Sequence, residues 1–317
     1  MYMYKLFKGT RILAPIIAWI PTIVFLVTIV YPRFIENQDW SLVTAVFTFI
    51  ALIFFIAYRA LFFLIWMYIV FVAFNILAKY KTMRMKNILL DECDPAACAD
   101  AFEQVLGRLD MIIARKKNKR VQNYEIIRTD ILLEVFFCYY DNNDLNSAKL
   151  ALDGVKCFSE QKKLRIYEQF QYHHCSFAYY LDTKDYSNAK VHLEKMDELR
   201  SGEKLSKVIS GVFRDAFFTN TYCYNIYALE KFDGAELFLK YQYDKSSKKY
   251  FRIKTQNLLG KMYMNEKRLI EAKAAFEYII ANGNMLSCVE AAKLSVALCQ
   301  ENNASDVSLP EETEVIA

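Results

Sequence analysis

Glycine and proline are scarce, at 8 and 5 residues in a chain of 317. Strand-rich sandwiches and barrels depend on those residues at their turns, and collagenous or proline-rich chains are built from them, so these classes are excluded. Histidine is rarer still, with 3 residues. The cysteines (Cys93, Cys98, Cys138, Cys157, Cys175, Cys223, Cys288 and Cys299) stand singly in apolar stretches with no C-x-x-C pair. That spacing fits reduced, buried thiols in a reducing compartment and gives neither a disulfide framework nor a metal knuckle. Also missing are the phosphate-cradling G-x-x-x-x-G-K-[ST], the dinucleotide G-x-G-x-x-G, the zinc motif H-E-x-x-H and the nucleophile elbow G-x-S-x-G. A net charge of +4 is too small to mark a nucleic-acid binder. The expectation is a protein that is not an enzyme and has no cofactor, metal centre or nucleic-acid partner.

What the chain has in excess is apolar residues, 55% of the total, concentrated before residue 79. Ile12 to Val30 carries no charge and has the length of one membrane crossing at about 1.5 Å per residue. Tyr31 to Ser41 is a short polar connection with an interfacial Trp40. Leu42 to Ala78 is then apolar except for Arg59, as one long helix or as two meeting near that residue. Arg59 is a candidate functional charge inside the membrane, or else a side chain that snorkels or sits at an interfacial turn. Lys5, Lys8 and Arg11 precede the first span, and Lys79, Lys81, Arg84 and Lys86 follow the last. The positive-inside rule puts both clusters on the cytoplasmic side for two crossings. Three crossings with an outside N-terminus also leave the following domain cytoplasmic. The expected protein is therefore a multi-pass cell-membrane protein with a membrane anchor at 1–78. A basic juxtamembrane linker at 79–93 would touch anionic lipid.

From Asp94 to Gln300 the pattern is helical throughout, and one motif recurs: YYDNNDLNSAKLAL, YYLDTKDYSNAKVHL, IYALEKFDGAELFL and YMNEKRLIEAKAAF. Each is an aromatic-rich helix end, a polar turn, and an alanine (Ala148, Ala189, Ala235, Ala272) with a bulky apolar residue four positions on (Leu152, Leu193, Leu239, Phe276). The alanines recur at intervals of about 40 residues, the period of two-helix repeats. A small residue lets the helices of a hairpin cross closely, while the larger one fills the groove toward the next hairpin. The fold class expected is all-α, transmembrane helices followed by an α-solenoid at 94–300. An acidic, disordered tail is expected at 301–317.

Leu259-Gly260-Lys261-Met262-Tyr263 matches L-G-x2-Y, and Ala272 with Phe276 matches A-x3-F. The fourth copy thus resembles the tetratricopeptide repeat (TPR) family, although Gln256 replaces its tryptophan and Asn284 its closing proline. The whole arrangement resembles bacterial membrane-anchored proteins with a degenerate TPR-like helical domain. The resemblance implies a concave groove lined by the first helix of each hairpin. Carried across in register from the alanines, it selects His174, Asn220, Tyr224, Tyr227, Lys254, Asn257 and Lys261 as a peptide-binding groove suited to an acidic protein or peptide partner. The family's full carboxylate clamp is not reproduced.

Other clusters have plainer explanations. His173, His174 and Cys175 are adjacent on a helix and face different directions, which disfavours a shared metal, and His192 stands alone. Asp141, Asp144, Asp182 and Asp185 occupy turns, where aspartate caps helices. Arg115 to Arg120 is expected to be a solvated loop. The resulting functional expectation is a membrane-tethered TPR-like scaffold or adaptor at the cytoplasmic face. The alternative is an integral subunit of a transporter, channel or secretion complex.

Overall fold

With so few glycine and proline interruptions, helix propensity persists over long stretches. A computed structural model describes residues 42–115, 121–161, 164–202 and 207–307, and is all-α with no strand among them. The expected span Ile12 to Val30, its polar connection, residues 116–120 and the tail beyond Val307 lie outside the described residues. The chain divides into two compact units, Met1–Lys81 and Thr82–Ala317.

The first unit is dominated by α1 (Leu42–Leu90), 49 residues in length, which begins here and ends in the second unit. It passes Arg59 without a break, so the apolar stretch 42–78 is one helix and Arg59 lies at no turn. Among the described residues it is the one helix long and apolar enough to cross a membrane. Over Ile53–Val70 its mean hydropathy is 2.1, and none of that window is buried.

The second unit starts inside the segment expected to be a linker. Residues 79–90 are helical because Lys, Arg, Met and Leu are strong helix formers. Lys86 also anchors this stretch through an ion pair with Glu134 at 2.5 Å. After α1 come α2 (Pro95–Arg115), α3 (Val121–Asp141), α4 (Leu145–Gln161), α5 (Ile166–Asp182) and α6 (Tyr186–Arg200). Next is α7 (Lys207–Tyr224), continued by a π-helical turn (Asn225–Leu229), then α8 (Ala235–Lys245), α9 (Lys249–Asn265), α10 (Leu269–Asn282) and α11 (Cys288–Val307). The last helix extends into the region expected to be a disordered tail, as far as Val307. Helices α2 to α7 each pack against the next, as do α8 to α11, and α3 also meets α5, α5 meets α7 and α9 meets α11.

One turn recurs, and its chemistry explains the sequence motif. Asn143, Lys184 and Lys267 adopt left-handed backbone conformations with φ of 61°, 61° and 59°. The N–H of the next residue then reaches back to a tyrosine carbonyl: Asp144 to Tyr139 at 2.9 Å, Asp185 to Tyr180 at 2.9 Å, Arg268 to Tyr263 at 2.8 Å. A second bond runs from the left-handed residue itself to Tyr140, Leu181 or Met264, completing a Schellman closure. The aspartate that closes one helix caps the next, since Asp144 Oδ1 accepts from Ser147 N–H at 3.0 Å and Asp185 Oδ1 from Asn188 N–H at 3.2 Å. These bonds offset a cost of about 1 kcal/mol for each non-glycine residue held left-handed.

Five positions after the left-handed residue stands the alanine, and Ala148, Ala189, Ala235 and Ala272 are each 0% exposed. Glu230, φ 52°, serves the third copy. The same frame exists where no repeat was expected: Cys93 is left-handed at φ 56°, Asp94 caps α2 by accepting from Ala97 N–H at 2.9 Å, and Cys98 takes the buried small position. Gly260 shows why the close crossing tolerates nothing larger. A Cβ there would meet the Phe276 ring at 2.8 Å.

The main core gathers Cys98, Phe102, Ile253, Met262, Phe276 and Ile279. A second groups Phe136, Ala148, Val155 and Cys175. In a third, the rings of Phe170 and Phe213 stack at 3.8 Å beside Met196. Each large apolar side chain so buried contributes about 1.5–3 kcal/mol.

Candidate functional site

Helix α9 presents Tyr250, Lys254, Asn257 and Lys261 on one face, spaced at one-turn intervals. At the end of α3, Asp141 has its side chain fully buried, and a buried carboxylate requires partners. It has two: the Tyr250 hydroxyl donates to Oδ2 at 2.6 Å, and the Lys254 ammonium donates to Oδ1. Burial works against the Lys254 ammonium, but Asp141, joined by Cys288 and Asp182, raises its pKa on balance. Burial, then Asp141, pushes the Tyr250 hydroxyl far above its ordinary value. Asp141 was expected to be a turn residue. In the structure its backbone carbonyl accepts from Ser287 N–H at 2.9 Å, while its side chain holds the interior.

Further bonds join the first and last parts of this unit. Lys248 donates to Asp91 at 2.8 Å and to Asn87 at 3.2 Å. Asn284 donates to the Glu92 carbonyl at 2.7 Å, and Met285 N–H to the Cys93 carbonyl at 3.2 Å. The end of α1 and the α10–α11 connection are therefore bound to each other.

Lys261 is placed differently from Lys254. Its ammonium lies over the Tyr227 ring, 4.5 Å from the centroid, and among the described residues no carboxylate comes within ion-pairing distance of it. Burial lowers its pKa, with Asp182 acting against it and Lys254 adding to it. Tyr227 belongs to the π-helical turn after α7. Cys223, one turn before it, and Cys288, at the start of α11, act electrostatically on Lys261, and burial pushes Cys223 up to about 12. The Lys254 ammonium also faces the rings of Tyr140 and Tyr250, at 5.4 and 5.6 Å.

The three adjacent residues on α5 point three ways. The Asn220 amide donates to His174 Nδ1 at 2.8 Å and also approaches the Met196 sulfur at 3.3 Å. His173 meets His192 Nδ1 to Nδ1 at 2.8 Å, so one of the two carries the shared proton, and His192, which looked isolated, is paired. Cys175 is buried and aims its thiol at the Leu133 carbonyl, 3.9 Å away. Burial depresses His173, His174 and His192 to about 4.

The expected groove residues thus fall into sets. Lys254, Lys261 and Tyr227 belong to one interior cluster, and His174 with Asn220 forms a second contact. Asn257 is half-buried between the two lysines on α9, and Tyr224 is half-buried at the end of α7. Arg59 lies in the first unit on α1, half-buried. Of the basic cluster, Lys81 and Arg84 are exposed while Lys86 pairs with Glu134. Sequence reasoning missed Asp141, Tyr140 and Tyr250 as interior residues. Asp141 carried one usable signal, an acid directly after two tyrosines at a helix end. Among the described residues, no three His, Cys, Asp or Glu side chains assemble as a metal-binding set. Comparison with protein-family models, with curated proteins and with solved structures found no match to this chain.

Proposed function

We propose that this protein is a membrane-tethered adaptor, whose helical hairpins form a TPR-like α-solenoid that holds a protein partner at the cytoplasmic face. The reading rests chiefly on the recurring turn, which builds one hairpin after another. Such arrays work through extended surface. Support for the tether comes from α1, whose window Ile53–Val70 has no buried part and requires an apolar surrounding. With Ile12 to Val30 as a further crossing, the charges around both spans favour a cytoplasmic domain.

We take the partner surface to be the outer face of the second helices. Two positions after the repeat alanine, Leu150, Val191 and Leu237 stand 71%, 50% and 79% exposed. Apolar residues repeated at one register suit a protein partner better than solvent. The interior face is less suited to a peptide, because Asp141 already satisfies Lys254 and the first and last parts of the domain are bound together.

The test is crosslinking in native membranes followed by affinity purification. Recovery of a partner that is lost with Leu150→Asp plus Leu237→Asp, in a variant that keeps its helicity, supports the adaptor. A partner retained by that variant, or release of the whole protein from membranes by alkaline carbonate, counts against it. Arg59 in the middle of an apolar helix favours a second reading, a subunit of a larger membrane assembly. Loss of a detergent-stable complex on Arg59→Leu, with the outer-face variant unaffected, selects that reading.

A further inference from the structure

The two lysines of α9 differ in a way that hairpin packing does not require. Lys254 has a carboxylate partner and Lys261 has an aromatic ring, although both lie on one face of the same helix. An ammonium removed from bulk water and left without a carboxylate is costly, and a ring face offsets only part of that cost. A leucine or methionine at 261 would fill the same space without it. Lys254 still keeps 30% of its side chain open to solvent, and Lys261 is likewise only partly covered, although burial is the largest influence on both ammoniums. Side chains that are crowded by neighbours and yet reached by solvent line a recess in the surface of the fold.

The recess has a consistent chemistry. Two ammoniums face it from α9, with the Tyr140 and Tyr227 rings beside them and Asn257, an uncharged hydrogen-bonding residue, between them on the same helix face. Asp141, the acid buried there, is occupied by Tyr250 and Lys254. Asp182, the other acid acting on the lysines, is exposed at the end of α5. One positive charge is left over. The bonds among Asp141, Tyr250 and Lys254, and from Met285 to Cys93, bind the first and last parts of the unit to each other.

We infer that the recess between Lys254 and Lys261 is a binding site for a small free oxyanion, a metabolite-sized molecule with a phosphate or carboxylate group, whose charge Lys261 completes. The molecule's oxygens would take the ammonium hydrogens that no protein carboxylate takes, while the tyrosine rings flank its body. This site is independent of the membrane-adaptor reading, and its test needs neither membrane nor partner.

Pyridoxal 5′-phosphate, used purely as a probe, combines a small oxyanion with an aldehyde that reports on a nearby amine. The lysine nitrogen attacks the aldehyde carbon and water leaves. Borohydride then delivers hydride to the imine carbon, fixing a secondary amine that peptide mapping locates. With the full chain in detergent, Lys261 is expected to be labelled at least about ten-fold faster than Lys190, which is exposed on α6. Pyridoxal, which lacks the phosphate, should lose that preference. Excess inorganic phosphate or succinate should protect Lys261 and leave Lys190 unprotected, and whichever protects better identifies the anion class. The same labelling on Lys254→Met should fall about ten-fold at Lys261, with circular dichroism confirming the fold. The inference is overturned if wild-type Lys261 reacts no faster than Lys190, if pyridoxal labels it equally well, or if neither anion protects it. These three readouts use the wild-type chain, so they stand even if the variant misfolds.

Discussion

Helix α1 and helix α9 place polar and apolar groups in opposite senses. Over Ile53–Val70, α1 turns Phe54, Leu64 and Tyr68 outward and buries nothing, whereas α9 turns Tyr250, Lys254 and Lys261 toward partners within the unit and exposes Phe251. One physical rule accounts for both, because each side chain faces whatever medium leaves its polar groups satisfied. For α1 that medium lies outside the chain. For α9 the polar partners come from α3 and the π-helical turn, within the unit.

The comparison breaks most severely at its polar end. Asp141→Ala removes the acceptor of both Tyr250 and Lys254, and is expected to cost about 3–4 kcal/mol, read as a fall in urea midpoint with unchanged m-value. At the apolar end, if α1 crosses a membrane as proposed, Leu64→Arg should penalise its insertion by about 2.5–3.5 kcal/mol, seen as a larger carbonate-extractable fraction. Leu150→Arg on α4, equally exposed, should leave membrane retention unchanged. Gly260→Ala sharpens the role of close packing. Its Cβ would press into Phe276, and the loss should be about 1–3 kcal/mol by thermal melting.

Acid provides a milder probe. Burial holds His173, His174 and His192 near 4, below the free value of 6.5, so their stabilising contribution is present above 6.5 and lost as pH falls through 4. Asp130 acts oppositely. Burial and the neighbouring Glu168 raise it to about 6, so its contribution is complete below the free value of 3.8 and lost as pH rises through 6. Asp130→Asn should therefore gain about 1 kcal/mol at pH 7, an amount reduced by its solvent exposure, and show a steeper acid decline than the parent in pH-dependent denaturation. The smallest effect expected is a gain. Lys267→Gly relieves a left-handed residue and should raise stability by roughly 0.5–1 kcal/mol.

The repeat turn was legible because its parts are local. In the first two copies a tyrosine, a left-handed residue, an aspartate and an alanine lie within ten positions of one another, and the first three act on backbone nearby. The hairpin at Cys93 escaped notice since cysteine replaces alanine there and the helix before it, with Lys79, Lys81, Arg84 and Lys86, reads as a basic linker. Register found Lys254, Lys261 and Tyr227, because residues on one helix face share a phase. It failed for Asp141, whose Tyr250 partner is 109 positions away, so nothing in its own surroundings distinguishes a buried acid from a capping one. The His173–His192 pair failed for the same reason over 19 positions.

The shared aspartate of the turn also fixes the reading frame of the hairpin. Asp144 ends the closure of α3 and starts α4, so no spare residue separates the two helices. One residue inserted between Asn143 and Ser147 would rotate the alanine by about 100° and carry it out of the crossing, replacing it with Ser147. Length changes at these turns should act like frameshifts in a gene, scrambling the packing of everything on the following helix and leaving composition untouched.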